Sequence, residues 1–173
     1  MATIPSQTNF PTAKQVPEHS ILDYYNKQTY LGNQYVASVN STVITGTTEQ
    51  ALMTLSNPNG NKISVFLGLR KLTSLSAAGA EFRVYSNPTI SSAGTVITPV
   101  NLRTASGSVS VASVHSLPTA SANGTYLNML VSTNYNSDIS NSMLILDPGQ
   151  SILITAQMSA TGAVCAELSW YEL

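Results

Sequence analysis

Between Val84 and Thr125 the chain states one twelve-residue pattern twice. Residues 84–95 read Val-Tyr-Ser-Asn-Pro-Thr-Ile-Ser-Ser-Ala-Gly-Thr, and residues 114–125 read Val-His-Ser-Leu-Pro-Thr-Ala-Ser-Ala-Asn-Gly-Thr. Seven of the twelve positions coincide, at a constant offset of 30. Each copy has one physical reading. A β-branched and aromatic run ends at a Pro that donates no ladder hydrogen bond, a small polar loop follows, and a Gly free to take φ > 0 turns the chain into the next strand. Two copies are too few for a solenoid, which needs about three stacked repeats. They predict two equivalent hairpins inside one β-sandwich, with a strand-like link from Val96 to Ser113.

The rest of the chain fits that class. Its 173 residues suit one domain, and 43% apolar content is enough for a core. Charge is the outlier: 9% of residues are Asp, Glu, Lys or Arg, where a typical soluble domain has about 25%. From Thr104 to Ser137 there is none at all. A surface of hydroxyls and amides at net charge −1 has little colloidal repulsion, so it reads as a surface covered in use, predicting a homo-oligomer. Seven scattered basic residues make no stripe, which argues against nucleic acid. No run of about 18 apolar residues offers a membrane span, and the first residues lack the basic head and apolar core of a leader.

Taken in order, residues 1–28 read as an extended N-terminal arm and 29–173 as a single sandwich domain. Pro5, Pro11 and Pro17 fall six apart among polar residues with no period of 2 or 3.6, and Ser20 to Tyr25 could open one helical turn. Two readings of the arm stand side by side: a disordered tail, and a segment that orders by lying on a neighbour. The β pattern starts near Tyr30. Gln34 to Val39, Thr42 to Thr45, Glu49 to Leu55, Lys62 to Leu69, Glu81 to Tyr85, Tyr126 to Val131 and Met143 to Leu146 read as strands, with Leu72 to Ala80 irregular and Thr133 to Asn141 a loop. Asp147-Pro-Gly-Gln150 supplies Pro and Gly where a type II turn needs them. At the end, Ile152, Ile154, Ala156 and Met158 share one face, and Val164, Ala166, Leu168 and Trp170 share another. Period 2 in both arms predicts an antiparallel hairpin with one buried face, and Trp170 as a core anchor. The expected fold is an all-β antiparallel sandwich, of jelly-roll form.

Reactive constellations are scarce. His19 and His115 are 96 residues apart, and His115 holds the place of Tyr85 in the other copy, an aromatic-like slot. One cysteine, Cys165, excludes an internal disulfide and reads as a buried thiol in an apolar strand. Asp138 and Asp147 flank a polar loop as solvated turn residues. Asn40-Ser-Thr42 and Asn123-Gly-Thr125 match the glycosylation acceptor pattern by coincidence in a Ser/Thr-rich chain. No metal spacing, phosphate loop or acid/base pair stands out, so the expectation is no enzyme, no metal and no cofactor.

Four stretches carry a resemblance: Tyr85-Ser-Asn-Pro-Thr-Ile-Ser, Gly94-Thr-Val-Ile-Thr-Pro-Val-Asn-Leu102, Leu146-Asp-Pro-Gly-Gln-Ser151 and Leu168-Ser-Trp-Tyr-Glu172. In that order they resemble a group of small virion proteins of tailed bacteriophages, over roughly Val84 to Leu173. The resemblance implies a head decoration (cement) protein or a related capsid-surface or tail component. Such a protein is a β-sandwich that forms homotrimers, binds the major capsid protein and resides on the virion's capsid surface after synthesis in the host cytoplasm. It carries no catalytic residues. The reading from a different class is a tail-tip or fibre-head module that binds a host receptor or glycan.

Overall fold

The computed structural model describes residues 27–45, 47–132, 137–140 and 143–173. Among them, residues 27–31 form a helical turn where a strand is expected to begin, and the rest of the regular structure is β. The first half supplies β1 (Gln34–Ile44), β2 (Gln50–Ser56), β3 (Val65–Ser74), β4 (Ala80–Ser86), β5 (Thr89–Ser92), β6 (Thr95–Ile97) and β7 (Val100–Asn101). The second supplies β8 (Ser113–Ser116), β9 (Thr119–Ala122), β10 (Thr125–Ser132), β11 (Ser137–Ser140), β12 (Leu144–Leu146), β13 (Ser151–Met158) and β14 (Gly162–Glu172). The arm, its Ser20–Tyr25 turn and His19 lie outside the described residues.

Two antiparallel sheets pack face to face. The first runs β11-β3-β14-β1-β7, with β12 also on β3; the second runs β10-β4-β13-β2-β8-β6. Their inner faces share one core, in which Leu52, Leu55, Leu67, Phe82, Ile154 and Leu168 are fully buried. Trp170 belongs to it, as its face predicts: it is 1% exposed and stacks on Tyr35 at 6.1 Å. Its indole N–H donates to Glu172 Oε1 at 3.0 Å. That carboxylate is itself buried, and it also accepts from the Ser110 hydroxyl and from the backbone N–H groups of Val111 and Ala112. A buried carboxylate with four donors fastens the irregular segment 102–112 to the end of the core. That segment is not a strand, which corrects the expected link: Ser106 and Ser108 bond within the segment and Ser110 bonds Glu172, instead of forming a ladder.

The terminal hairpin is also corrected. The faces of β13 and β14 are as expected, but β13 pairs with β2 and β4 while β14 pairs with β1 and β3. The turn at residues 159–161 carries the chain from one sheet to the other, so Ile152 and Ile154 face Leu168 and Trp170 across the core. Period 2 fixes which face a strand buries, and both arrangements bury the same residues. The Asp147–Gln150 turn stands as predicted, with Gly149 at φ 85° and the Gln150 N–H donating to the Asp147 carbonyl at 2.9 Å.

Bulges account for two further departures. In β1 an extra residue near Ser41 (φ 54°) flips the inward set from Tyr35, Ala37 and Val39 to Ile44. In β3, which starts at Val65 and runs on to Ser74, the register slips between Leu67 and Leu69. Leu67 faces the core before the slip, and Arg70, Leu72 and Ser74 face it afterwards, so half of the basic pair Arg70-Lys71 is interior. Burial pulls the Arg70 guanidinium below the ordinary arginine value. Residues 137–140, expected in a loop, form β11 on the edge of β3.

The repeat takes a form the sequence does not announce. Neither copy closes a hairpin on itself; the copies pair with each other. β4 pairs with β10, β5 with β9 and β6 with β8. Thr89 pairs with Ala122 and Ser92 with Thr119, each the other's counterpart at offset 30, and Ile90 pairs with Ala120, its own counterpart. Side chains follow suit: Ser91 Oγ reaches Thr119 O at 3.1 Å, and Ser121 Oγ reaches Thr89 O at 3.3 Å. Tyr85 pairs with Leu153, His115 pairs with Thr54, and Leu153 and Thr54 pair with each other. A local twofold axis therefore passes through the β13–β2 pair and through Ile90–Ala120. β5 and β9 carry the chain between opposite halves of the second sheet, crossing its outer face where Leu153, Thr54 and Thr155 are buried away from the core.

Each crossing depends on a glycine. Gly94 (φ 80°) and Gly124 (φ 90°) sit so close to the opposite copy that a Cβ would lie 2.2 Å from the carbonyl oxygen of Ser116 or Ser86. Gly94→Ala and Gly124→Ala should each cost about 2–4 kcal/mol by chemical denaturation, from left-handed strain and a backbone clash together. The costs should be near equal, and Gly107→Ala, with open space around it, should stay within about 0.5 kcal/mol. Trp170→Ala should cost about 3–5 kcal/mol. The wild-type tryptophan should emit blue-shifted light that iodide does not quench.

Candidate interaction surface

The outer face of the second sheet carries three aligned columns. β10 presents Tyr126, Met129 and Val131; β4 presents Tyr85, Arg83 and Glu81; β13 presents Leu153, Thr155 and Gln157. Glu49, just before β2, closes the top of the β4 and β13 columns. Its Oε1 accepts from the Thr155 hydroxyl, from Tyr85 OH at 2.9 Å and from the Asn123 amide at 3.4 Å, while Oε2 accepts from Arg83 Nη1 at 2.7 Å. Arg83 also holds Glu81 at 2.8 Å and the Gln157 side chain at 3.0 Å. Burial pushes the Glu49 carboxyl up, but the hydrogen bonds from Thr155, Tyr85 and Arg83, with the arginine's charge, outweigh it and hold the carboxyl below the usual glutamate range. A carboxylate fixed in its ionised form by four protein donors is an anchor for sheet and ribbon, with no lone pair poised to move a proton. Asn123, read in the sequence only as part of an acceptor pattern, is one of those donors.

The other singled-out residues are dispersed. His115 stands at the twofold counterpart of Tyr85, half-buried between Thr54 and Val96, so the aromatic slot is real in position. Cys165 is not buried. It lies on the outer face of β14, half-exposed, where its sulfur accepts the N–H of bulged Ser41 at 3.3 Å. Alternation with buried Val164 and Ala166 accounts for this position. Asp147 accepts the Ser64 hydroxyl at 3.0 Å, and the side chain of Asp138 lies outside the described residues. Among the described residues no three His, Cys, Asp or Glu side chains form a group that could hold a metal. No helix among them is long and apolar enough to cross a membrane.

Ten of the exposed large apolar side chains gather on two opposite sides of the sandwich, while Val43, Leu75 and Leu117 are exposed elsewhere. On one side β10 is the edge of its sheet and lies against β11 and β3. Tyr126 (53% exposed), Leu127, Met129 and Val131 are open to solvent there, with Met143 and Ile145 of the neighbouring edge. Leu127 and Ile145 share a cleft of about 200 Å³ with Leu144, Leu146 and Ile152. On the other side β6 and β7 are the edges, with Val96 (70% exposed), Val100 and Leu102 open, and Val109 projects from the segment after β7 at 82% exposure. From Val84 to Ser137 the one residue among Asp, Glu, Lys and Arg is Arg103, which lies over the Tyr30 ring at 5.3 Å. The sequence revealed the lack of charge; it could not reveal that the apolar residues of this stretch face water, because strand propensity is blind to which strand ends a sheet.

No family model matches the chain, and no curated protein matches it.

Because Glu49 is held below its ordinary value, the unfolded chain takes up its proton first. The stability it contributes is full above the ordinary glutamate value, about pH 4, and drains as pH falls through the folded value. Urea midpoints measured from pH 7 to pH 3 should fall less steeply for Glu49→Gln than for the wild type. Parallel slopes would show that the network does not order this face.

Proposed function

We propose that the chain is an adhesive structural protein of a virion, a head decoration protein or a related capsid-surface component of a tailed bacteriophage, working as a homo-oligomer. One observation carries the reading: two opposite sides of a rigid sandwich expose apolar side chains in a stretch almost without charge. Exposed apolar patches of several hundred Å² are often functional, and two of them on opposite sides suit a surface that is covered in use. The eight-residue edge strand β10 adds to this, because it carries none of the lysine or proline with which natural proteins guard edges. The order β11-β3-β14-β1 facing β10-β4-β13-β2 supports a jelly-roll reading, in which the repeated segment is an insertion between the fourth and fifth strands. Jelly rolls are common in capsids, and this likeness is an analogy of fold.

The receptor-binding reading draws on Tyr126, an exposed aromatic beside the Glu49–Arg83 cluster. The polar atoms of that cluster are engaged with one another, and the one tryptophan is in the core, so little is left to grip a sugar.

Purified protein mixed with phage shells that lack it should co-sediment with them, saturate, and raise the temperature at which they rupture. Binding to host cells with none to shells would favour the tail-tip reading and overturn this one.

A further inference from the structure

We infer that copies of this chain join head to tail, the side bearing Val109 of one copy seating in the Leu127–Ile145 cleft of the next. This rests on the adhesive reading above and specifies which surface meets which.

Three observations converge on it. The first is the shape of the two sides. The β10 side holds a cleft of about 200 Å³ lined by Leu127, Leu144 and Ile145 together with the polar Ser86, Asn87 and Gln150, room for a small side chain. The opposite side holds a projection, Val109, at 82% exposure.

The second observation is that the projection is held still. On one flank the Asn101 amide donates to the Ser108 carbonyl at 3.4 Å, and Asn101 Oδ1 accepts the Arg103 N–H at 2.8 Å. On the other flank Ser110, Val111 and Ala112 all donate to the buried Glu172 carboxylate. An irregular segment pinned on both flanks while its apolar residue points to water is pre-organised for contact, since little freedom remains to be lost on binding.

The third is area. Six side chains near half exposure on the β10 side and four more open ones on the other leave about 500 and 400 Å² of apolar surface. One contact between unlike sides buries both, about 900 Å². That is the apolar share, roughly 60%, of a standard interface of about 1,200–2,000 Å². Contact of the β10 side with itself about a twofold buries a similar area but needs a second, separate contact to cover the Val109 side. One unlike contact, repeated, covers both, and unlike contacts with a closing rotation generate rings. Arg103 is the one residue among Asp, Glu, Lys and Arg from Val84 to Ser137, and Glu81, its side chain 47% exposed, lies beside Val131 on the cleft side, so these two charges are unlike.

The test is a mixing experiment with two full-length variants, Ile145→Asp on the cleft side and Val109→Asp on the projecting side. Both positions are exposed, so melting curves should match the wild type; if Ile145→Asp melts early, Met129→Asp replaces it. Wild-type protein should sediment as a multiple of the 18.3 kDa chain, and each variant alone should need at least tenfold higher concentration to assemble. An equimolar mixture should restore a two-chain species and nothing larger, because it contains one intact cleft and one intact projection. The inference is overturned if Val109→Asp assembles like the wild type, or if the mixture stays single-chain. Shell binding is scored in parallel on the wild type. Head-to-tail rings that ignore shells would sink the capsid reading alone, and twofold dimers that bind shells would sink this inference alone.

Discussion

The antiparallel embrace of the two repeat copies is the interaction on which the rest of the second sheet depends. A β-strand edge is satisfied only by another backbone, and each copy supplies the strands that close the other: β4 with β10, β8 with β6, β5 with β9. The axis through Leu153–Thr54 makes β13 and β2 the shared centre, buried on both faces because the ribbon crosses their outer side. Gly94 and Gly124 fit because no Cβ can occupy the approach of one copy's turn to the other's carbonyl. Positive φ at Asn87 and Leu117, also 30 apart, shows the two departures from the sheet to be the same backbone event. Leucine is a costly choice there, and the symmetry of the ladder explains why it is tolerated: the surrounding pairs determine its conformation.

At the other end of the molecule, a single carboxylate does comparable organising. Glu172 joins the core through Trp170 to an irregular segment that would otherwise lack anchorage. Removing an acceptor from four donors in a dry site leaves those donors unpaired, which costs more than the bonds themselves are worth. The outcome is a rigid display of Val109. The first sheet is thus tied to the second sheet through polar contacts, while the sandwich interior is mostly apolar, with Arg70 and Ser74 among its few polar residues.

These two devices leave the molecule with a rigid frame and polar faces whose groups are largely engaged with one another. The Glu49 network consumes the charges of the second sheet's outer face, so the free energy available for association lies at the apolar edges. Burial of such edges is non-directional, and specificity must come from shape, in this case a cleft and a projection on opposite sides. A charge-poor exterior follows from this, since ions stranded in an interface would each carry a desolvation cost.

The sequence by itself determined the class of fold, the inward faces of β13 and β14, the core position of Trp170, the Asp147–Gln150 turn and the low-charge surface. Each depends on local rules: period 2, the φ of Pro and Gly, and the count of charged residues. It also displayed the repeat, at the right offset and with the right glycines. The tertiary structure alone decided that the copies pair with each other, that β13 and β14 lie in opposite sheets, and that a bulge turns Arg70 inward. The reason is common to all of these. Side-chain alternation says which face a residue takes but not which backbone lies beside it, and one extra residue in a strand inverts every face beyond it. Glu49 and Glu172 were invisible for the same cause, because their donors come from positions as far as 106 and 62 residues away, brought together only when the sheets close.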